Sequence, residues 1–244
     1  MSDQEATIPR PRRIPLPGEG PRSKAVRAMF DRIAPRYDLL NRVMTLRVDQ
    51  AWRRSLLRAL SPSTGERLLD LCAGTMDVAE LARRGAPGLK VVAADLSLGM
   101  LRRGVGKTAL PASQADALRL PFRDGSFDLV TVTFGLRNLD SWERGLREIA
   151  RVLRPGGRLG VLEFFRSESG ASRLVHAAYN RLALPVFGRL LSPDPLAYRY
   201  LVASMERFAS RREIEAGAGR CGFGLVKGRN LFPGVCGLVT AVRS

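Results

Sequence analysis

The feature that most constrains this chain is one short stretch, Leu69-Asp70-Leu71-Cys72-Ala73-Gly74-Thr75-Met76-Asp77. An apolar run gives way to a glycine, a hydroxyl residue and a carboxylate that opens a helical pattern. That order demands a strand, a tight turn and a helix start. Glycine lets the backbone turn sharply and approach a ligand closely. The helix start presents free amide N–H groups and the positive end of its dipole to an anionic group. About 20 residues on, Val91-Val92-Ala93-Ala94-Asp95 ends a second strand in a carboxylate, which can accept hydrogen bonds from both hydroxyls of a ribose. Dinucleotide sites use the same device, but their G-x-G-x-x-G is absent. The single turn glycine, Gly74, disfavours a pyrophosphate.

Around this pair the pattern alternates. Strands are expected at 67–72, 90–94, 112–115, 127–133 and 158–164, and helices at 76–84, 98–105 and 142–153, the last stopped by Pro155-Gly156-Gly157. A helix at 211–221 then leads to Phe223-Gly224-Leu225-Val226 and to 235–242, which read as a closing hairpin-like pair. Such alternation predicts an α/β, Rossmann-like, mostly parallel seven-stranded sheet with helices on both faces. Val26, Met29, Phe30 and Ile33 recur at helical spacing, as do Trp52, Leu56, Leu57 and Leu60. Residues 23–62 are therefore N-terminal helices, expected to pack across the C-terminal edge of the sheet. The segment 167–208 interrupts the alternation. It carries Leu174, Leu182 and Leu190 with Arg173, Arg181 and Arg189, and reads as a helical insert that lids the substrate. Residues 1–22, with prolines at 9, 11, 15, 17 and 21, read as a disordered tail. Residues 23–244 read as a single domain.

Composition limits the chemistry. The chain of 244 residues holds three cysteines and one histidine, His176. Cys72, Cys221 and Cys236 form no CxxC pair and read as buried free thiols. No metal site is expected, and a Ser-His-Asp triad has almost no material. No stretch is long and apolar enough to span a membrane, and no signal-peptide pattern is present, so a cytoplasmic protein is the expectation. Forty Lys and Arg against 23 Asp and Glu give a formal charge of +17. An anionic membrane surface or a nucleic acid would explain that charge, as would arginine-rich codon usage. The arginines are spread along the chain without interleaved aromatics, which argues against a nucleic-acid groove, and no nucleic-acid partner is expected.

A third set of residues narrows the ligand. Gln114-Ala115-Asp116-Ala117 precedes Leu120-Pro121-Phe122, then Ser126-Phe127-Asp128, and later Arg151-Val152-Leu153-Arg154-Pro155-Gly156-Gly157. In this order and spacing the chain resembles the class I S-adenosylmethionine-dependent methyltransferases. In these an acidic residue placed like Asp116 meets the adenine amino group, and the helix start receives the methionine carboxylate of the cofactor.

The resemblance extends to one family. Phe30-Asp31-Arg32-Ile33-Ala34, then Tyr37-Asp38-Leu39, Trp52-Arg53, Phe134-Gly135-Leu136-Arg137-Asn138, Leu162-Glu163-Phe164 and Tyr198-Arg199-Tyr200-Leu201 resemble motifs of the ubiquinone/menaquinone biosynthesis C-methyltransferases. That likeness covers nearly everything from Val26 to the C-terminus. It implies methylation of a ring carbon of a polyprenylated quinol, demethylmenaquinol or a ubiquinone precursor. It also implies that Gly74, Thr75, Asp95, Asp116, Ala117 and Thr133 contact S-adenosylmethionine and that Tyr37 reaches its methionine end.

A ring carbon is a poor nucleophile until a neighbouring hydroxyl loses its proton, so the protein must align, exclude water and favour the phenolate. Arg137 is expected to stabilise the oxyanion and Asn138 to orient it, with a bound water or a carboxylate taking the proton. The insert would line a slot for the prenyl chain, and its arginines would allow peripheral contact with the inner face of the membrane. A methyltransferase of another small molecule or a phospholipid, an RNA base methyltransferase, and a non-catalytic family member in a quinone-biosynthesis complex remain open alternatives. Two departures stand out. Met76 occupies a position where the family usually has glycine, and Gly237-Leu238-Val239-Thr240-Ala241 replaces a family histidine and its basic neighbours. Met76 is expected to point away from the cofactor or to pack on it.

Overall fold

A computed structural model describes residues 14–45, 47–167, 170 and 195–244. Strands β1 (Arg67–Leu71), β2 (Lys90–Asp95), β3 (Ala112–Gln114), β4 (Phe127–Thr133), β5 (Leu153–Glu163), β6 (Phe223–Leu231) and β7 (Cys236–Arg243) form one seven-stranded sheet. Their spatial order is β3-β2-β1-β4-β5-β7-β6. The first five pair in parallel, and β7 runs antiparallel to both β5 and β6. The strand order reverses between β1 and β4. That switch point opens a crevice beyond their C-terminal ends, where ligands of such sheets bind.

Successive strand residues feed opposite faces, as the pleat requires. Leu68, Leu129 and Leu162 join Trp52, Leu56, Leu60, Ala79 and Ala82 on one side. These come from α3 (Val48–Leu60) and α4 (Asp77–Gly85). Leu69, Val130 and Val161 join Leu146, Ile149, Ile214 and Ala218 on the other, which come from α6 (Trp142–Val152) and α8 (Arg211–Arg220). Both faces are thus covered, which is why the inner strands read as nearly continuous apolar runs.

Two boundaries differ from the sequence expectation. β5 starts at Leu153 because Leu153 pairs with Phe127, with a register shift before the next pairing, so Pro155-Gly156-Gly157 kinks a strand instead of preceding one. β6 runs five residues beyond Val226, to Leu231. Lys227, Arg229 and Asn230 hid that strand because an edge strand carries polar residues on its open side.

The N-terminal helices divide into two sets. α3 lies on a sheet face, where an added Cβ at Gly160 of β5 would meet Leu56 and Leu60. It does not cross the edge as expected, because its apolar stripe matches the face of β5. α1 (Ser23–Ile33) and α2 (Tyr37–Met44) do sit over the C-terminal ends of the strands. A third apolar cluster gathers Val26, Met29 and Ile33 of α1, Met100 of α5 (Leu98–Thr108), and Ala197 and Tyr200 of α7 (Pro195–Arg207). Ile14 and Leu16 also belong to it and are buried. The packed structure therefore begins upstream of residue 22. The prolines at 15 and 17 shape an extended strap between apolar anchors, a pattern that proline density alone conceals. Most of the insert, including Leu174, Leu182 and Leu190 and the three arginines, lies outside the described residues. No helix among the described residues is long and apolar enough to cross a membrane.

Candidate functional site

β1 ends in Leu71, and the chain then passes through three left-handed residues, Cys72, Gly74 and Met76. Gly74 has φ +54°, and its hydrogen faces the Tyr37 ring, since an added Cβ would lie 3.8 Å from Tyr37 Cε1. Met76 has φ +67° and caps α4. Left-handed backbone disfavours side chains with a Cβ, so a methionine is strained at this position. The Met76 side chain is fully buried between α4 and α5, and a Cβ on Gly104 would come within 2.5 Å of its Cγ and Sδ. It points away from the crevice, as expected.

Beyond the turn lies an open-mouthed cavity. Tyr37, Gly74, Asp95, Asp116, Ala117, Thr133 and Asn138 all line it. Asp95 ends β2 with its Oδ2 accepting from Gly74 N at 2.9 Å and its Oδ1 accepting from Ser97 N at 2.8 Å. A carboxylate has about four acceptor sites, so capacity remains for two ribose hydroxyls. Burial pushes the Asp95 carboxyl up from its ordinary range. Asp116 is exposed at the rim, where Oδ1 accepts from Leu118 N at 2.9 Å. Thr133 ends β4, and its Oγ1 is buried with no hydrogen-bond partner among the described residues. Burial also raises the Tyr37 phenol.

Thr75 is placed differently. It is buried, and its hydroxyl donates to Asp38 Oδ1 at 2.5 Å. Asp38 also meets Lys107 Nζ at 2.9 Å. Burial alone would raise the Asp38 carboxyl, but the Thr75 hydroxyl and the Lys107 ammonium together hold it below its ordinary value. Thr75 lines a smaller adjoining cavity and not the larger one. There it ties α2 to the turn.

The Phe134-Gly135-Leu136-Arg137-Asn138 run forms the far wall. Phe134 has φ +56°, an uncommon conformation for an aromatic residue and one that clusters at functional sites. Its carbonyl accepts from Arg137 Nη1 at 2.9 Å and from Asn138 Nδ2 at 3.2 Å. Gly135 is required here, since a Cβ would lie 2.3 Å from Cys72 Cβ. Arg137 is buried and turned from the cavity toward Glu163, with its guanidinium over the Phe164 ring at 5.7 Å. Asn138 faces the cavity, and its Oδ1 accepts from Tyr200 Oη at 3.1 Å.

The N-terminal helices were expected at this edge, but the contacts that latch the roof were not legible in the sequence. Ser23, Val26, Arg27 and Phe30 of α1 close the cavity from above. Asp140 holds one end of α1, accepting from Arg22 N at 2.7 Å, Ser23 N at 3.1 Å and Ser23 Oγ at 2.5 Å. Asp31 holds the other, accepting from Ser97 Oγ at 2.5 Å and Gly99 N at 3.0 Å. The buried Arg22 guanidinium donates to the carbonyls of Leu16, Arg137 and Leu139. Arg22 and Asp140 are 118 positions apart, and no local pattern links them. Cys72, expected to be buried, is instead half-buried and lines the cavity.

The sequence profile of the ubiE/COQ5 methyltransferase family matches residues 19–243. The chain belongs to this family. It is an S-adenosylmethionine-dependent methyltransferase. Among relatives, a demethylmenaquinone methyltransferase of Mycolicibacterium gilvum is 43% identical over 219 residues, 89% of this chain and 94% of that protein. One of Thermus thermophilus is 44% identical over 200 residues, 80% of this chain and 91% of that one. A solved S-adenosylmethionine-dependent methyltransferase of Thermotoga maritima has a TM-score of 0.65 at 21% identity, covering 89% of this chain and 99% of its own. A Haemonchus contortus phosphoethanolamine N-methyltransferase, solved with S-adenosyl-L-methionine, has a TM-score of 0.60 at 17% identity, covering 78% and 52%. These two share the fold, which is the class I Rossmann-like architecture expected. The residues present fit the cofactor. The unpartnered Thr133 hydroxyl, the spare acceptor capacity of Asp95 and the close approach allowed by Gly74 converge on one roofed cavity.

Proposed function

We propose that this methyltransferase transfers a methyl group to a ring carbon of a polyprenylated quinol, demethylmenaquinol in the first place. One observation carries the reading: Asp95 lines the same cavity as Phe134, Gly135 and Asn138 of the Phe-Gly-Leu-Arg-Asn run, so cofactor and acceptor would share one enclosure. The names of the relatives support the same substrate class.

S-adenosylmethionine supplies an electrophilic sulfonium methyl. Asp95, Asp116, Ala117 and Thr133 would hold its adenosine, and Gly74 and Tyr37 would face its amino-acid end. The roof of α1 excludes water, which strengthens every electrostatic interaction within. Asn138 reaches the cavity and would orient the ring oxygen, its own amide fixed by Phe134 and Tyr200. Arg137, expected to meet the oxyanion, is proposed as a positioning residue. Its charge is met by Glu163, and what it holds is the Phe134 carbonyl and hence the wall. Thr75 would act in the same indirect way, by fixing the turn through Asp38.

Peripheral contact with an anionic membrane is the second part of the proposal. Leu39 and Phe232 are 51% and 86% exposed. Phe232 lies beside α3, its carbonyl accepting from Trp52 Nε1 at 2.7 Å. Arg36, Arg42 and Arg47, within eight positions of Leu39 in sequence, are exposed. Apolar tips among arginines suit a headgroup region.

The test is methyl transfer by the purified protein to short-chain demethylmenaquinol and, separately, to a demethoxy ubiquinol precursor. Transfer to neither, with the cofactor bound, would overturn the quinol reading. Flotation with anionic vesicles checks the membrane contact, and absence of binding would sink it.

A further inference from the structure

A smaller cavity adjoins the larger one and shares Tyr37, Cys72, Gly74, Thr133 and Phe134 with it. It lies at the start of α4, between Tyr37, Arg53, Thr75, Asp77, Thr133 and Phe134. Two opposite charges face it. The Arg53 side chain is only 7% exposed, and its Nη2 lies 3.7 Å from Asp77 Oδ2. That separation makes an ion pair without a hydrogen bond. Asp49 steers the guanidinium from the opposite side, with Arg53 Nε donating to its Oδ2 at 3.3 Å. Asp49 is itself held by Thr45 Oγ1 at 2.8 Å. Lys107 Nζ holds Asp77 through Oδ1 at 3.0 Å, leaving Oδ2 toward the cavity. The unpartnered Thr133 hydroxyl opens onto the same space.

A buried guanidinium and a partly exposed carboxylate, 3.7 Å apart beside a helix N-terminus, offer opposite charges to a zwitterion. Each charge is fixed by a neighbour from behind, so neither collapses onto the other. An α-amino acid group carries the complementary pair, a carboxylate and an ammonium. We propose that Arg53 and Asp77 are the zwitterion cradle of this site, with Arg53 receiving the carboxylate of the cofactor's amino-acid end and Asp77 its ammonium. This rests on the methyltransferase reading and adds to it the residues that recognise that end. The larger cavity then places the sulfur, while the cradle fixes the rotation of the methionine chain.

Binding to the full-length protein tests the assignment by calorimetry with two probes. S-adenosylhomocysteine carries the amino-acid group, and 5′-methylthioadenosine lacks it. The wild type should bind the first at least about tenfold more tightly, since charge-assisted hydrogen bonds discriminate by that much or more. Arg53→Met should erase most of this ratio by weakening S-adenosylhomocysteine alone, Arg53→Lys should restore part of it, and Asp77→Asn should reduce it. Unchanged methylthioadenosine binding shows that the fold survives in each variant. An unaltered ratio in Arg53→Met would overturn the proposal. If that variant binds neither probe, Asp77→Asn decides: a lowered ratio supports the cradle and an unaltered ratio overturns it. Failure of the wild type to bind either probe would instead overturn the cofactor reading itself.

Discussion

Arg137 and Glu163 meet at 2.5 Å with side-chain exposures of 6% and 0%, 26 positions apart in sequence. The Glu163 carboxylate also accepts from the backbone N–H of Arg137 and of Phe164. One carboxylate at the end of β5 thereby fixes both the side chain and the backbone of the wall. Glu163→Gln removes the charge and turns a donor toward donors. The expected cost is about 3 kcal/mol, because breaking one partner of an enclosed pair leaves the other charge unmatched. Urea unfolding checks it, and a loss below about 1 kcal/mol would show that Arg137 finds another partner.

Asp140 anchors the roof. Asp140→Ala frees the first turn of α1, and S-adenosylhomocysteine affinity should fall about fivefold to tenfold, with a faster off-rate. Burial raises its carboxyl, but the Ser23 hydroxyl and the Arg22 and Ser23 amides outweigh that and hold it low. A depressed folded value means the latch contributes fully above the unfolded carboxylate range, about 4, and is lost as pH falls further. Stopped-flow release of cofactor at pH 7 compares wild type and variant. Identical rates would mean the roof does not gate the cavity.

Met76 trades backbone strain against packing. Met76→Gly relieves the left-handed strain of about 1 kcal/mol but empties the space over Gly104, which costs about 2–5 kcal/mol. Net destabilisation is expected, with cofactor affinity unchanged within about threefold because the side chain faces away from the crevice. Gly104→Ala should destabilise the wild type yet be tolerated in a Met76→Ala background, since the three nearest atoms to an added Cβ all belong to Met76. A double-mutant cycle by thermal unfolding measures that coupling. Sharply tighter cofactor binding by Met76→Gly would reveal an affinity cost of the methionine.

Asp70 sits under the turn, 1% exposed, its oxygens accepting from Thr131 Oγ1 at 2.8 Å and Ala79 N at 3.1 Å. Burial pushes its carboxyl up to about 7. A raised folded value means the neutral form stabilises the fold fully below about 4, and that contribution is lost as pH rises toward 7. Wild-type stability should therefore fall relative to Asp70→Asn between pH 4.5 and 7.5, by an amount of a few kcal/mol at most. Parallel denaturation curves across that range would place the Asp70 titration outside it.

Much of this molecule follows from local pattern. Leu68 and Leu69 serve opposite sheet faces, and Asp95 ends its strand, because alternation and strand termination are properties of neighbouring residues. Gly74, Asp95, Asp116, Ala117 and Thr133 converge on one cavity because parallel strands deliver their C-terminal ends to one edge. Ile14 and Leu16 were hidden among prolines, since two apolar residues in an extended strap make no periodic signal.

The sequence by itself determined the doubly wound sheet, the cofactor turn and the family motifs, all encoded within spans of a few residues to one βαβ unit. Only the tertiary structure decided which way the motif side chains face. Arg137 turns inward because Glu163 waits at the end of an adjacent strand, and Asn138 faces the cavity because Tyr200 of a distant helix meets it. Arg53 and Asp77 come together only when α3 packs beside α4. Polar partners choose one another across the fold by geometry and desolvation, and neither is written in the spacing along the chain.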